Sequence, residues 1–203
     1  MKITASTLQI SKIPAFVNNN IIKNKIQEFD NSKYSNIYGT IMHNTFYKFV
    51  NDRNILDEKN AIKYALPKVK KLNDGYVNRM LKTITLYNTN ITIKPSNIKE
   101  IYKEVKLIKQ IDEHIINGRI DKLIVTNAND LYIIDYKTTL KMKDINSYRG
   151  QAKIYQYLLE QNGFTWYRNI FFTIHYLDFN ILDIVRLDKN IGIIEEIIKD
   201  DGR

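Results

Sequence analysis

The sequence predicts an α/β domain in which a central mixed β-sheet is flanked by helices. Three observations carry this prediction. The stretch Gly118 to Thr139, GRIDKLIVTNANDLYIIDYKTT, holds two β-rich apolar runs, Ile120 to Thr126 and Leu131 to Thr138. Asn127-Ala128-Asn129-Asp130 parts them, and alternation bounded by Asn and Asp reads as a hairpin. Two more β runs, Ile170 to Leu177 and Ile181 to Leu187, flank a turn at Asp178-Phe179-Asn180. Helical spacing precedes and follows the central hairpin. The order is therefore helices, three strands, a helix and then strands, which suits a sheet covered by helices.

The elements follow in order. Residues 1–38 read as an N-terminal arm with Pro14 as a breaker, a polar Asn18-Asn19-Asn20 run and a short helix at Ile21 to Phe29. Thr40 is a candidate N-cap for a helix to about Asn51, with Met42, Phe46, Phe49 and Val50 as its apolar stripe. Residues 39–87 make a helical region, perturbed at Pro67 and at Asn73-Asp74-Gly75. Its Lys68, Lys70 and Lys71 suit either phosphate contact or a solvated face. Residues 100–200 form the α/β core. Glu104 to Ile111 is its first strand, and Asp112-Glu113-His114 a turn with His114 in it. After the hairpin, a loop carries Lys141 and Lys143. Ser147 is expected to cap a helix to Gln161, stopped by Asn162-Gly163. His175 alternates with apolar neighbours and reads as structural, and Ile191 to Lys199 as a terminal helix. No linker divides residues 1–203, so a single domain is expected.

Composition narrows the function classes. There are 203 residues and 44% are hydrophobic, enough for a sizeable core. Lys and Arg number 31 against 22 Asp and Glu, a net charge of +9, which favours a polyanionic partner such as nucleic acid. With no cysteine, disulfides, thiolate zinc sites and cysteine-ligated iron–sulfur clusters are excluded. The N-terminal stretch has no long apolar core and no run reaches the ~20 apolar residues of a membrane span. An intracellular, cytoplasmic protein without membrane partners is the expectation.

The chemistry concentrates in the hairpin. Asp121 and Asp135 each interrupt an apolar strand. A three-residue loop, Asn127 to Asn129, would set them directly opposite each other on one face, with Lys137 on that face two residues further. A four-residue loop would slip the register and part them. Like charges opposite each other on a sheet are unfavourable, so two acids and a lysine converging there suggest a divalent-metal site.

The pattern resembles the PD-(D/E)xK nuclease superfamily in its RecB-type exonuclease branch. Gly118-Arg119-Ile120-Asp121 matches G-x-x-D, Asp135-Tyr136-Lys137 matches D-x-K, and Gln151-Ala152-Lys153-Ile154-Tyr155 matches Q-x-x-x-Y. Gly39-Thr40-Ile41-Met42-His43 resembles the branch's early histidine motif. The resemblance implies a restriction-endonuclease-like core and a Mg²⁺- or Mn²⁺-dependent nuclease without an iron–sulfur cluster. Asp121, Asp135, the backbone carbonyl of Tyr136 and His43 would be metal ligands. A packing histidine is the plainer reading of His43, and the motif order favours the ligand. Glu104 would be the additional acid, with Glu100 and Glu113 as competitors. Lys137 would hold the attacking water or stabilise developing charge. Gln151 and Tyr155 would contact DNA. The implied function is exonuclease action on single-stranded or unwound DNA ends, with replication or recombination proteins as partners. The alternatives are a structure-specific or RNA-directed endonuclease, and a nucleic-acid-binding module without turnover.

Overall fold

A computed structural model describes residues 2–4, 34–90, 93–139, 141–189, 194 and 196. Its elements are β1 (Lys2–Thr4), α1 (Ser35–Phe49), α2 (Glu58–Val69), α3 (Asp74–Tyr87), β2 (Ile98–Ile111), β3 (His114–Thr126), β4 (Leu131–Lys137), α4 (Arg149–Gln161), β5 (Ile170–Tyr176) and β6 (Ile181–Arg186). The short helix expected at Ile21 to Phe29 lies outside the described residues, as does most of the expected terminal helix.

Strand β3 is the hub of the mixed sheet. β2 runs antiparallel along one edge, from Ile98↔Thr126 to Ile111↔His114. The other edge is shared. β1 pairs in parallel with Ile115 to Asn117, and β4 pairs antiparallel with Lys122 to Val125. β5 adds parallel to β4, and β6 antiparallel to β5. Between Asn117 and Lys122 this edge of β3 has no strand partner among the described residues.

The hairpin has the three-residue loop. Thr126 N–H donates to Asp130 O at 3.0 Å, and Asn129 takes φ 58°, the left-handed conformation that closes such a loop. Pairing then runs from Val125↔Leu131 to Lys122↔Ile134. Asp121 and Asp135 are the next residues, just past the last ladder pair.

Helices cover both faces. Tyr38, Met42 and Phe46 of α1 and Met80 and Ile84 of α3 pack with Ile124, Ile134 and Tyr136. Ile154, Leu158 and Leu159 of α4 pack with Leu123, Ile133, Phe172 and Ile174. Within β3 and within β4 the two sets have opposite parity, so the layers lie on opposite faces.

Several sequence expectations need correction. α1 starts at Ser35, and Thr40 lies inside it, its hydroxyl donating to Asn36 O at 3.0 Å. Ser147 belongs to a 3-10 turn at Ile145–Tyr148, and α4 begins only at Arg149. β2 begins six residues before Glu104. His114 is the first residue of β3 and is buried. In the helical region Pro67 sits in the last turn of α2, which runs on past it only to Val69. Asn73 starts a helix rather than interrupting one, by accepting from Tyr76 N–H at 3.0 Å.

The alternation in β2 and β3 reverses at one point. Ile101 and Lys103 meet the α1–α3 layer, whereas Val105 and Leu107 pack on the α4 side. Across the ladder, Lys122 and Ile124 face α1–α3, whereas Ile116 and Ile120 face α4. Both reversals fall at Glu104, whose φ of 55° kinks the strand, and at Asp121 opposite it. A left-handed conformation at a glutamate is costly. Here it turns the sheet at the point where β3 loses its pairing with β4.

Candidate active site

Asp121 emerges at that kink. Its Oδ2 accepts the Tyr136 N–H at 2.8 Å, and its Oδ1 lies 3.4 Å from Nδ1 of His43. His43 sits in the middle of α1, one turn after Gly39. A Cβ on Gly39 would come within 2.9 Å of Thr138 Oγ1. The glycine therefore lets α1 approach the end of β4 closely enough for His43 to reach the acid. The His43 ring also stands edge-on to Tyr136, centroids 6.0 Å apart.

Asp135 is 5% exposed. Gln151 Nε2 donates to its Oδ1 at 2.5 Å, and Lys137 Nζ lies 2.5 Å from its Oδ2. The lysine contact is ionic and lacks the angles of a hydrogen bond, so Oδ2 has no directed donor. Burial pushes the Asp135 carboxyl up from its usual range, the Lys137 charge pulls it back, and the Asp121 charge raises it again. For His43, burial pulls the imidazole down, but the Asp121 hydrogen bond and the charges of Asp121 and Asp135 leave it raised.

Glu104 stands opposite Asp121, bracketed by Lys103↔Lys122 and Val105↔Ile120. Its carboxylate pairs with the Arg119 guanidinium. Of its two competitors, Glu100 accepts from the Tyr102 hydroxyl, and Glu113 is exposed in the β2–β3 turn. Of the three, Glu104 is the one opposite Asp121, and Arg119 pairs with its side chain.

Gln151 and Tyr155, expected to contact DNA, hydrogen-bond to each other, Gln151 half-buried and Tyr155 buried. Tyr155 is 5% exposed; its hydroxyl donates to Arg119 O at 2.7 Å and lies 2.9 Å from Gln151 Nε2. The helix thereby ties Asp135 on β4 to the backbone just before Asp121 on β3. Gly118 makes this possible: a Cβ there would lie 2.9 Å from Leu158 and 3.0 Å from the Tyr155 ring.

Two features behind the site left no mark in the sequence reading. Arg79 of α3 grips both oxygens of Asp178 at 2.7 and 2.8 Å, and its Nη2 donates to Thr138 O at 3.1 Å, next to Lys137. The partners lie 99 and 59 positions away, beyond any local pattern. Lys122 is 2% exposed; its ammonium donates to Asn54 Oδ1 at 2.6 Å and Tyr87 Oη at 2.8 Å. Tyr87 in turn shares a 3.1 Å hydrogen bond with the Tyr136 hydroxyl. Burial lowers the Lys122 pKa to about 7.

The donor set fits a hard divalent cation, which prefers carboxylate and carbonyl oxygens with imidazole as a tolerated addition. A buried carboxylate with a raised pKa and an oxygen lacking a directed donor is a group that a cation would relieve. Among the described residues, no three His, Cys, Asp or Glu side chains converge tightly enough to hold an ion as they stand. Two acids of the set are engaged by cations of the chain, Glu104 by Arg119 and Asp135 by Lys137.

The kinked α/β sheet, with D-x-K on one strand and an aspartate on its neighbour, has the arrangement the sequence resemblance implies. The chain matches the model of the PD-(D/E)XK nuclease superfamily over residues 19–181 and belongs to that superfamily. Its members generally use divalent cations, and its restriction-endonuclease-like fold is the one described above. No match was found among curated proteins. Among solved structures, the chain is similar to a Eubacterium rectale protein carrying a provisional exonuclease description. Identity is 9%, coverage 85% of this chain and 65% of that one, and the TM-score 0.49. The protein SSO0001 is 12% identical, with coverage of 85% and 86% and a TM-score of 0.39. VC1899 from Vibrio cholerae is 16% identical, with coverage of 55% and 36% and a TM-score of 0.23. No helix among the described residues is long and apolar enough to cross a membrane.

Proposed function

We propose that the protein is a Mg²⁺- or Mn²⁺-dependent exonuclease that hydrolyses phosphodiester bonds of single-stranded or unwound DNA ends. The observation that carries the reading is the pair Asp121–His43 standing beside the pair Asp135–Lys137 where β3 and β4 part. Asp121, Asp135, the Tyr136 carbonyl and His43 would hold the ion, and Glu104 would complete the site once released from Arg119. When bound, the ion supplies alignment of the attacking water and stabilisation of charge on the phosphoryl oxygens. Lys137 holds that water or the developing charge through its ammonium. As the water oxygen forms its bond to phosphorus, the P–O bond to the leaving strand breaks, and the proton lost by the water is balanced by the one the leaving oxygen takes up from solvent to become a hydroxyl. Gln151 and Tyr155 act behind this cluster as positioning residues. Gln151 fixes the Asp135 carboxylate, and Tyr155 fixes Gln151 and β3. The basic surface attracts the strand through its phosphates.

Linear and covalently closed single-stranded DNA, incubated with Mg²⁺, Mn²⁺ or chelator, test the reading. The two share a backbone chemistry, but only one has an end. Linear strands should disappear with metal while the circle persists. Rapid cutting of the circle would favour an endonuclease, and tight binding without cleavage of either would favour a binding module.

A further inference from the structure

On the α4 side of the sheet, between β2 and the hairpin turn, lies an exposed group of rings. Tyr102 is 38% and Trp166 48% exposed. Phe164 lies between them, edge-on to Tyr102 at 5.9 Å and 6.1 Å from the Trp166 ring. The Lys99 ammonium sits 5.8 Å over Trp166. The rings stand on fixed backbone. Tyr102 pairs with Leu123 in the ladder and its hydroxyl donates to the Glu100 carboxylate. The segment bearing the other two is tied by Phe164 N–H to Leu159 O at 3.0 Å and Arg168 N–H to Asn129 O at 2.8 Å. Glu104, opposite Asp121, is two residues beyond Tyr102, about 7 Å along the strand.

We propose that Tyr102, Phe164 and Trp166 form a stacking platform for unpaired bases of a single strand whose backbone leads to Asp121 and Asp135. This deepens, and rests on, the nuclease reading above. Phe164 packs partly on the α4-side core, whereas Tyr102 and Trp166 leave apolar ring surface exposed. Bases of any sequence offer flat faces to such rings, and a cation beside them attracts the phosphates. A duplex keeps its base faces hidden within the stack. The single strand is thus the occupant that uses both the rings and Lys99.

Trp166 is the chain's one tryptophan, so its fluorescence reports on the platform directly. The full chain, in chelator, would be titrated with oligo(dT) and with an abasic strand of equal length. Saturable quenching by oligo(dT), with the abasic strand bound about tenfold more weakly and without quenching, is expected. The double variant Tyr102→Ala, Trp166→Ala, which has no tryptophan and is read by the anisotropy of a labelled strand, should bind oligo(dT) about tenfold more weakly with an unchanged salt slope, because the phosphate contacts remain. Binding of oligo(dT) without quenching, equal quenching by the abasic strand, or no binding of either would overturn the proposal. Binding is read without metal, so the two readings fail separately. Quenching with no metal-dependent cleavage would reject the nuclease and keep the platform, and cleavage without quenching would do the reverse.

Discussion

At the scale of single residues, the site depends on how Asp135 is held. Its carboxylate is buried, and its neighbours each act on a different oxygen: Gln151 donates to Oδ1 and Lys137 sits against Oδ2. Tyr155 stands behind Gln151, and its hydroxyl also satisfies a backbone carbonyl at Arg119. Tyr155→Phe keeps the ring and removes that hydroxyl. It should cost about 1–3 kcal/mol of stability, because the Arg119 carbonyl loses its donor, and it should lower kcat by releasing Gln151. Gln151→Ala should lower kcat more than it changes strand affinity. Unfolding curves and single-turnover rates on linear single strands check both. An affinity loss at constant kcat would return these residues to the strand-contacting role expected from sequence.

At the scale of elements, two close approaches build the site: α1 against the end of β4 and α4 against β3. Glycine permits each one. Gly118→Ala would push a methyl into Leu158 and the Tyr155 ring. It should destabilise by about 1–3 kcal/mol through overpacking, and lower activity as α4 shifts Gln151. Denaturant midpoints would show it. What was legible from sequence was local. A three-residue turn sets the hairpin register, so the two acids and the lysine followed from counting along two strands. The capping errors at Thr40 and Ser147 are also local. Each residue has the chemistry of an N-cap, but packing extends α1 backward, and a 3-10 turn takes up Ser147 before α4 begins. The kink at Glu104 was not legible, because residue counting assumes an unbroken pleat.

At the scale of the whole molecule, the acid cluster lies on a seam between the two layers, and a buried cation lies behind it. Lys122 has no buried carboxylate directly on it, only Asn54 and Tyr87. Nothing in IDKLIV reveals this, since a lysine in a strand is ordinarily solvated; the burial comes from α1 and α3 closing over that face. Its folded pKa is about 7, below the ~10.4 of the unfolded chain. The unfolded state therefore holds the proton more tightly between those values, and stability should rise with pH from about 7 towards 10. The contribution is on the order of several kcal/mol. Urea unfolding of the wild type and Lys122→Met across this range should give a difference that shrinks as pH rises. Parallel curves would contradict the burial of a titrating lysine.

The central claim is that Asp121, Asp135 and Lys137 form one hydrolytic site that works with a divalent ion. Cleavage of end-labelled linear single-stranded DNA by the wild type, Asp135→Asn and Lys137→Ala, each with Mg²⁺, Mn²⁺ or chelator, tests it most directly. The wild type should cleave only with metal, and each variant should lose at least about 100-fold in rate, the scale of a catalytic group, while keeping its circular dichroism spectrum and its strand binding in chelator. Folded variants that cleave at the wild-type rate, or wild-type cleavage that persists in chelator, would contradict the account.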